Sequence, residues 1–365
     1  MSTSNFIGFC SKVLLATLAG VLFVSCEDDS TLNNKVDFDR KAMLTHWADN
    51  IVLPAFEEFN SQVQKLSANT DAFVANDGTV TLATLQQQFK TAYLAFQRIK
   101  TFETGPSEDV SFRASLNTYP TDTAKIANNI GNKNYNLLAA SQLNARGFPA
   151  MDYLLFGNNT NIESSDDSKA YLKALVQDIQ LLTTTVNQNW KAHRNEFINA
   201  SGTDIGSSLG QMVNAINKDY ELIKNAKIGF PAGKKTLGKP YPHTCEGYYG
   251  GYSIQLAQAN IEAIFNFFRG TSFNGAQQGP SLADYLIALK AKHNGEDLDV
   301  AITNQFQAAL GALAAVPEPF SQSVVNETEK VDEAYLQIQR NVVLLKTDMP
   351  SAMGVLITYQ DNDGD

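Results

Sequence analysis

Arg146-Gly147-Phe148-Pro149-Ala150-Met151-Asp152-Tyr153-Leu154-Leu155-Phe156-Gly157 is the stretch around which the chain is organised. It joins a glycine-led start, a proline early in a predicted helical turn, and one carboxylate, Asp152, inside an otherwise apolar run. An unpaired carboxylate is expensive to bury, so Asp152 has to be paired, hydrated or used. The plain alternative is a short helix whose acid caps a neighbour or pairs with an arginine.

Outward from this segment the hydrophobic pattern is helical. Phe38, Met43, Trp47, Ile51, Phe56, Phe59, Val63 and Leu66 recur at intervals of three to five and predict a first helix, with Pro54 kinking or restarting it. A second helix is predicted over 82–102, with Leu85, Phe89, Tyr93, Phe96 and Ile99 inward and Gly105-Pro106 as its stop. Residues 106–146 read as short, interrupted helices. A long amphipathic helix is predicted over 168–198, and the polar loop 199–204 is the best boundary.

Beyond that boundary, helices are predicted over 209–228, 245–268, 281–293, 297–315 and 320–347. The helix over 245–268 is apolar nearly all round and should be central and buried. Strand-like alternation is confined to Val355-Leu356-Ile357-Thr358-Tyr359, too short to found a sheet. The expected fold is all-α: an N-terminal helical bundle over 37–200 packed on a C-terminal bundle over 201–350, then a tail over 351–365. Helix lengths leave a pseudo-duplication open.

Composition bounds the rest. A chain of 365 residues, 44% hydrophobic, can bury a substantial core, and a formal net charge of −10 gives a nucleic-acid backbone nothing to hold. Residues 1–26 read as a targeting segment: Lys12 precedes an apolar run over 13–24 that is short for a membrane span and ends at Ser25-Cys26. Ser25-Cys26 resembles a bacterial lipobox, which makes Cys26 the lipidated N-terminus and 27–36 a tether. Glu27-Asp28-Asp29-Ser30 resembles an acidic surface-export tag. The expected location is an outer-membrane lipoprotein, at the cell surface or facing the periplasm. Cys10 leaves with the signal, so Cys245 stands alone in the mature chain and no internal disulfide forms. Without Lys12, 27 basic side chains face 38 acidic ones, a balance of −11.

The segment 146–157 also resembles the signature of the imelysin family, envelope proteins described as insulin-cleaving metallopeptidases, in which Gly-x-His-x-x-Glu is followed by an aromatic-Leu-Leu-x-Gly ending. Here the frame stands, but Pro149 replaces the histidine and Asp152 the glutamate. Further segments resemble the family in order along the chain: Asn50 to Pro54, Phe96 to Pro106, Tyr119-Pro120 with Asp122, Cys245-Glu246 through Ser253, Pro319-Phe320, and the ending from Gly354-Val355 to Asp365. The resemblance implies two helical bundles with a pocket between them, lined by Arg98, Glu103, Asp152, Glu246 and Ser253. It also implies a role near iron or haem uptake, with iron or another divalent metal as the cofactor class left open.

Read as residues, these positions have plainer roles. Arg98 and Glu103 can form a solvated helix pair, Glu246 can cap a helix N-terminus, and Ser253 can bond its own backbone. A metallopeptidase needs a firmly held metal with an open position and a base for its water. Proline offers no ligand atom, so no His-x-x-Glu site forms at 149–152. His46, His193 and His293 read as surface or helix-end residues; His243, near Cys245 and Glu246, is the one local cluster that could take a transition metal. Asp361-Asn362-Asp363-Gly364-Asp365 resembles the start of a calcium loop but lacks its closing glutamate. Neither a Gly-x-Ser-x-Gly elbow nor a Walker loop is present. The leading expectation is a non-catalytic, lipid-anchored binding protein. The alternatives are a metallopeptidase rearranged around Asp152, Glu246 and His243, and a surface scaffold or adhesion protein.

Overall fold

Asp39 accepts the Ala42 amide and starts α1 (Arg40–His46), which runs through a π-helical turn at Trp47–Val52 into α2 (Leu53–Ala75). Pro54 follows directly on the π-helical turn, so the bond its missing N–H forgoes falls where the helix is already widened, and the rod continues through it. The computed structural model describes residues 36–359. The expected signal segment, Cys26 and the expected tether up to residue 35 lie outside the described residues, as does the acidic end Asp361–Asp365.

Thr81 caps α3 (Leu82–Gln97), which packs against α2. Then come the short helices α4 (Phe112–Leu116) and α5 (Thr123–Asn132), the signature helix α6 (Gly147–Phe156), and α7 (Asp166–Asn199), which lies along α2 and supports α6. The second half holds α8 (Ser208–Leu222), continued by a π-helical turn at Ile223–Gly229, then α9 (Ser253–Phe268) and α10 (Leu282–Ala288). A two-residue hairpin, β1 (Lys292–His293) and β2 (Glu296–Asp297), leads to α11 (Leu298–Ala314), α12 (Phe320–Asn326), α13 (Thr328–Val343) and α14 (Met349–Met353). The fold is all-α, and no described helix is long and apolar enough to cross a membrane.

Residues 37–359 form one compact unit. Helix lengths give no support for a duplication: the longest described helix of the first half, α7, spans 34 residues, and that of the second, α11, spans 17. Tyr93 stacks on Phe148 with ring centres 4.6 Å apart, and Phe59, Phe89 and Phe96 complete the aromatic core around α6. The second half has its own stack, Phe265 on Phe306 at 4.9 Å. Helix α9 touches α3, α8 and α11, so it is central as its sequence predicts, and Phe267 meets Trp47 and Phe102 across the join.

Three expectations need correction. The helix predicted from 245 begins at Ser253, because the glycines at 247, 250 and 251 favour turns over helix. Glu246 therefore does not cap it. Glu318 does, accepting the Ile254 and Gln255 amides at 2.6 and 3.1 Å. His46 is buried rather than at the surface: its Nε2 bonds the Gly270 carbonyl at 2.8 Å while Nδ1 meets Asn50 at 3.2 Å. The strand-like run at 355–358 founds no sheet, as its shortness predicts; Asn214 holds it through Leu356 O and the Thr358 amide.

Candidate functional site

Asp152 is delivered by a sequence of local constraints. Arg146 is locked by a buried ion pair to Asp178 on α7 (Nε to Oδ2, 3.0 Å) and donates to Leu137 O. The chain then turns at Gly147, whose φ is +71° and whose missing Cβ would fall 2.2 Å from Leu116 O, so only glycine fits. One helical turn later Asp152 emerges 2% exposed and faces the 247–252 turn of the second half. Its Oδ2 accepts the Tyr249 amide at 2.9 Å, and its Oδ1 accepts the Gly250 amide at 3.1 Å and the Tyr252 hydroxyl at 3.0 Å. A Cβ at Gly250 would stand 2.8 Å from Oδ1 and would overlap the Tyr252 ring, so the turn closes only with glycine there.

Burial pushes the Asp152 carboxyl up to about 7. The three donors oppose that shift, and the nearby Glu246 charge adds to it. The group therefore exchanges a proton near neutral pH.

Behind the turn lies a buried polar network drawn from both halves. Glu246 Oε1 accepts Gln97 and Asn117 amide nitrogens at 2.8 and 2.7 Å, and Oε2 contacts the Lys227 ammonium. Lys227 also donates to Gln97 Oε1 at 2.8 Å, and Tyr93 donates to Asn117 Oδ1 at 2.6 Å. A second centre is Asp219, fully buried, which accepts Lys100 and Thr101 at 2.5 Å each and Asn260 at 2.8 Å, with Arg113 at 3.5 Å. Burial alone would raise both acids. For Glu246 the Lys227 and Lys100 charges outweigh it, and for Asp219 the Lys100 and Arg113 charges do, so both stay below the usual carboxylate range. Burial pulls Lys227 down to about 8, and Glu246 holds it from falling further.

Among the expected site residues, Asp152 and Glu246 are within electrostatic reach of each other, and Ser253 is the buried first residue of α9, next to Tyr252. Glu103 lies on the Arg113 side of the network; both its oxygens accept the Arg113 amide, and burial raises its carboxyl to about 7. Arg98 stands apart. It is exposed, with its guanidinium 4.6 Å over the Phe273 ring, and it lines a separate surface crevice with Glu58 and Glu262. Lys100, Asp219, Lys227, Gln97, Asn117 and Asn260 were missed by sequence reading. The available signal was a charge falling on an apolar helical stripe: Lys100 four residues after Phe96, and Asp219 three after Ile216.

Two openings flank the Asp152 turn. The inner crevice, lined by Tyr119, Pro149, Asp152, His243 and Cys245, has about 20 Å³ of free space, enough for roughly one water. Burial raises the Cys245 thiol to about 12, so it is inert at neutral pH. The outer groove is far larger, about 840 Å³, and open to solvent.

The residues at the turn do not fit a catalytic metal. Three protein donors take most of the roughly four lone-pair positions of Asp152. Pro149 contributes none, Glu246 is spent on Gln97, Asn117 and Lys227, and His243 is exposed at the crevice rim. No group of three or more His, Cys, Asp or Glu side chains suited to an ion occurs among the described residues. The His243–Cys245–Glu246 cluster expected from sequence does not assemble, because Glu246 points inward to Lys227.

Comparison with known proteins gives a consistent fold. The Imelysin family model matches residues 52–345. A structure described as an iron-regulated protein A precursor from Parabacteroides distasonis superposes with a TM-score of 0.71 at 16% identity, over 86% of this chain and 95% of that one. An imelysin-like protein from Psychrobacter arcticum gives 0.70 at 17% identity, over 88% and 97%. A comparison with curated protein sequences finds no match.

Proposed function

This chain belongs to the imelysin family, and on that premise we propose that it is an envelope lipoprotein that holds a ligand at the Asp152 turn, between its two halves, and does not cleave peptides. The observation that carries this reading is the direction of the hydrogen bonds at Asp152. A metal ligand presents free lone pairs, whereas this carboxylate is spent on two amides and a phenol. The turn it holds is the inner wall of the 840 Å³ groove, a volume within the usual range for ligand sites.

The lipobox-like Ser25-Cys26 supports a lipid anchor and, with it, a location on the outer membrane, at the surface or facing the periplasm. The iron link rests on the description of the P. distasonis neighbour as iron-regulated. We carry it over as a protein made alongside iron- or haem-uptake components, not as an iron seat of its own. The test is hydrolysis of insulin B chain by the purified protein with and without EDTA, together with its metal content. No cleavage is expected. Chelator-sensitive cleavage that disappears in Asp152→Ala would overturn the proposal. Palmitate labelling that survives Cys26→Ala would remove the anchor.

A further inference from the structure

The chemistry of the outer groove narrows the ligand. Its wall carries three tyrosines. Tyr248 is 36% exposed, its ring 5.0 Å from that of Tyr249 and nearly perpendicular to it, and Tyr249 lies 5.0 Å from Tyr153 at 58°. Asn158 and Asn159, both exposed, supply amide donors and acceptors from the loop after α6. Glu318 is the sole charged lining residue, and its oxygens already accept the Ile254, Gln255 and Phe320 amides.

We propose that this groove binds a neutral oligosaccharide, an inference that rests on the reading that the Asp152 turn holds a ligand. Three features select that class. First, the described lining residues include no Lys, Arg or His. An anionic ligand such as a phosphate, a uronic acid or the propionates of haem would find Glu318 as the one charge in the lining, and the nearby cation, Lys90, lies outside that lining, over the Tyr252 ring and within reach of Glu318. Second, the tyrosine faces fan around the wall instead of lying parallel, so a flat macrocycle could lie on one ring at most. Successive sugar rings can each present C–H groups to a different face. Tyrosine and asparagine together give rigid amphipathic area with adaptable hydrogen bonding. Third, the groove is large and open, whereas a quaternary ammonium needs a small aromatic box closed around it.

The experiment is calorimetry and array binding with the full soluble chain, using maltohexaose, cellohexaose and a neutral mannan, alongside polygalacturonate, choline and haemin. At least one neutral glycan should bind. Tyr248→Ala, an exposed change that leaves the core intact, should weaken it about tenfold, the equivalent of about 1.4 kcal/mol, and Asn158→Ala should weaken it by a smaller factor. Arg98→Ala should leave it unchanged. Binding of no neutral glycan, or undiminished binding by Tyr248→Ala, overturns the inference. Choline, haemin or polygalacturonate binding that Tyr248→Ala weakens, without glycan binding, also overturns it while leaving the non-hydrolytic binding function standing. Chelator-sensitive peptide cleavage would instead remove that function itself.

Discussion

Replacing Asp219 by asparagine should cost the fold about 3–5 kcal/mol. The side chain is fully buried, and among the described residues its carboxylate is the one charge at hydrogen-bond distance from Lys100, itself 3% exposed. It also receives Thr101, Asn260 and the more distant Arg113. Asparagine keeps the shape but removes the charge and turns an amide NH₂ toward donors, Lys100 and Arg113 on one side or Thr101 and Asn260 on the other. Breaking a buried pair from one side typically costs 3–5 kcal/mol because the remaining charge is stranded. Unfolding entropy is about 2 cal/mol/K per residue, or about 0.7 kcal/mol/K over the roughly 320 described residues, so the melting temperature should fall by about 4–7 °C. The same change combined with Lys100→Met removes the stranded ammonium and should recover at least about half of the loss, a coupling readable by a double-mutant cycle. The sign with pH is fixed. A folded-state carboxyl held below its unfolded value contributes fully above about pH 4 and loses that contribution as pH falls further. The gap between wild type and Asp219→Asn should therefore narrow in acid. A single mutant that melts within 1 °C of wild type at pH 7, or a gap that widens below pH 4, would refute the reasoning.

Glu103 titrates with the opposite sign. Its folded value of about 7 exceeds its unfolded value, so the native state keeps a proton that the unfolded chain loses, and stability falls as pH rises from about 4.5 through 7. Glu103→Gln should flatten urea-derived stability between pH 5 and 8, by on the order of 3 kcal/mol at most; a profile parallel to wild type would contradict this. Gly147→Ala forces a left-handed backbone and a clash with Leu116 O, and should cost more than about 2 kcal/mol, seen as lost soluble yield or a lowered melting temperature. Phe148→Ala empties the centre of the first aromatic core and should cost about 3–5 kcal/mol by chemical denaturation. Arg98→Ala loses a contact with Phe273 worth about 0.5–1 kcal/mol and should shift the melting temperature by no more than about 2 °C.

The helical bodies were legible because each buries a stripe at helical spacing. Phe89, Tyr93 and Phe96 on α3, and Ile261, Ile264 and Phe268 on α9, are buried as their spacing predicts. Boundaries set by tertiary partners were not legible. Nothing local says that α9 begins at Ser253, because its cap, Glu318, arrives from 63 residues or more downstream. The candidate site was half legible for the same reason. Asp152 announces itself as the lone charge in an apolar run, but its partners are amides of residues 249 and 250, and a backbone N–H carries no letter. Lys100 and Asp219 leave only the faint signal of a charge on an apolar stripe in a chain that is 18% charged, and the packing of α9 against α3 and α8 is what brings the two halves of the network together.

That division also separates fold from chemistry at the signature segment. Gly147 and Gly157 are held by backbone geometry, since a Cβ at either would meet a main-chain oxygen at 2.2 or 2.6 Å. Phe148 is held by the aromatic core it fills. Positions 149 and 152 are under neither constraint: both face the inner crevice beside the 247–252 turn. What stands there can change from metal ligand to hydrogen-bond acceptor without moving the helix, provided the turn supplies donors instead of a metal. In this chain it does, with Tyr249, Gly250 and Tyr252 all aimed at one carboxylate. The family frame thus accounts for the backbone of the segment, and the polarity of three hydrogen bonds is what supports the proposal of a binding site over a hydrolytic one.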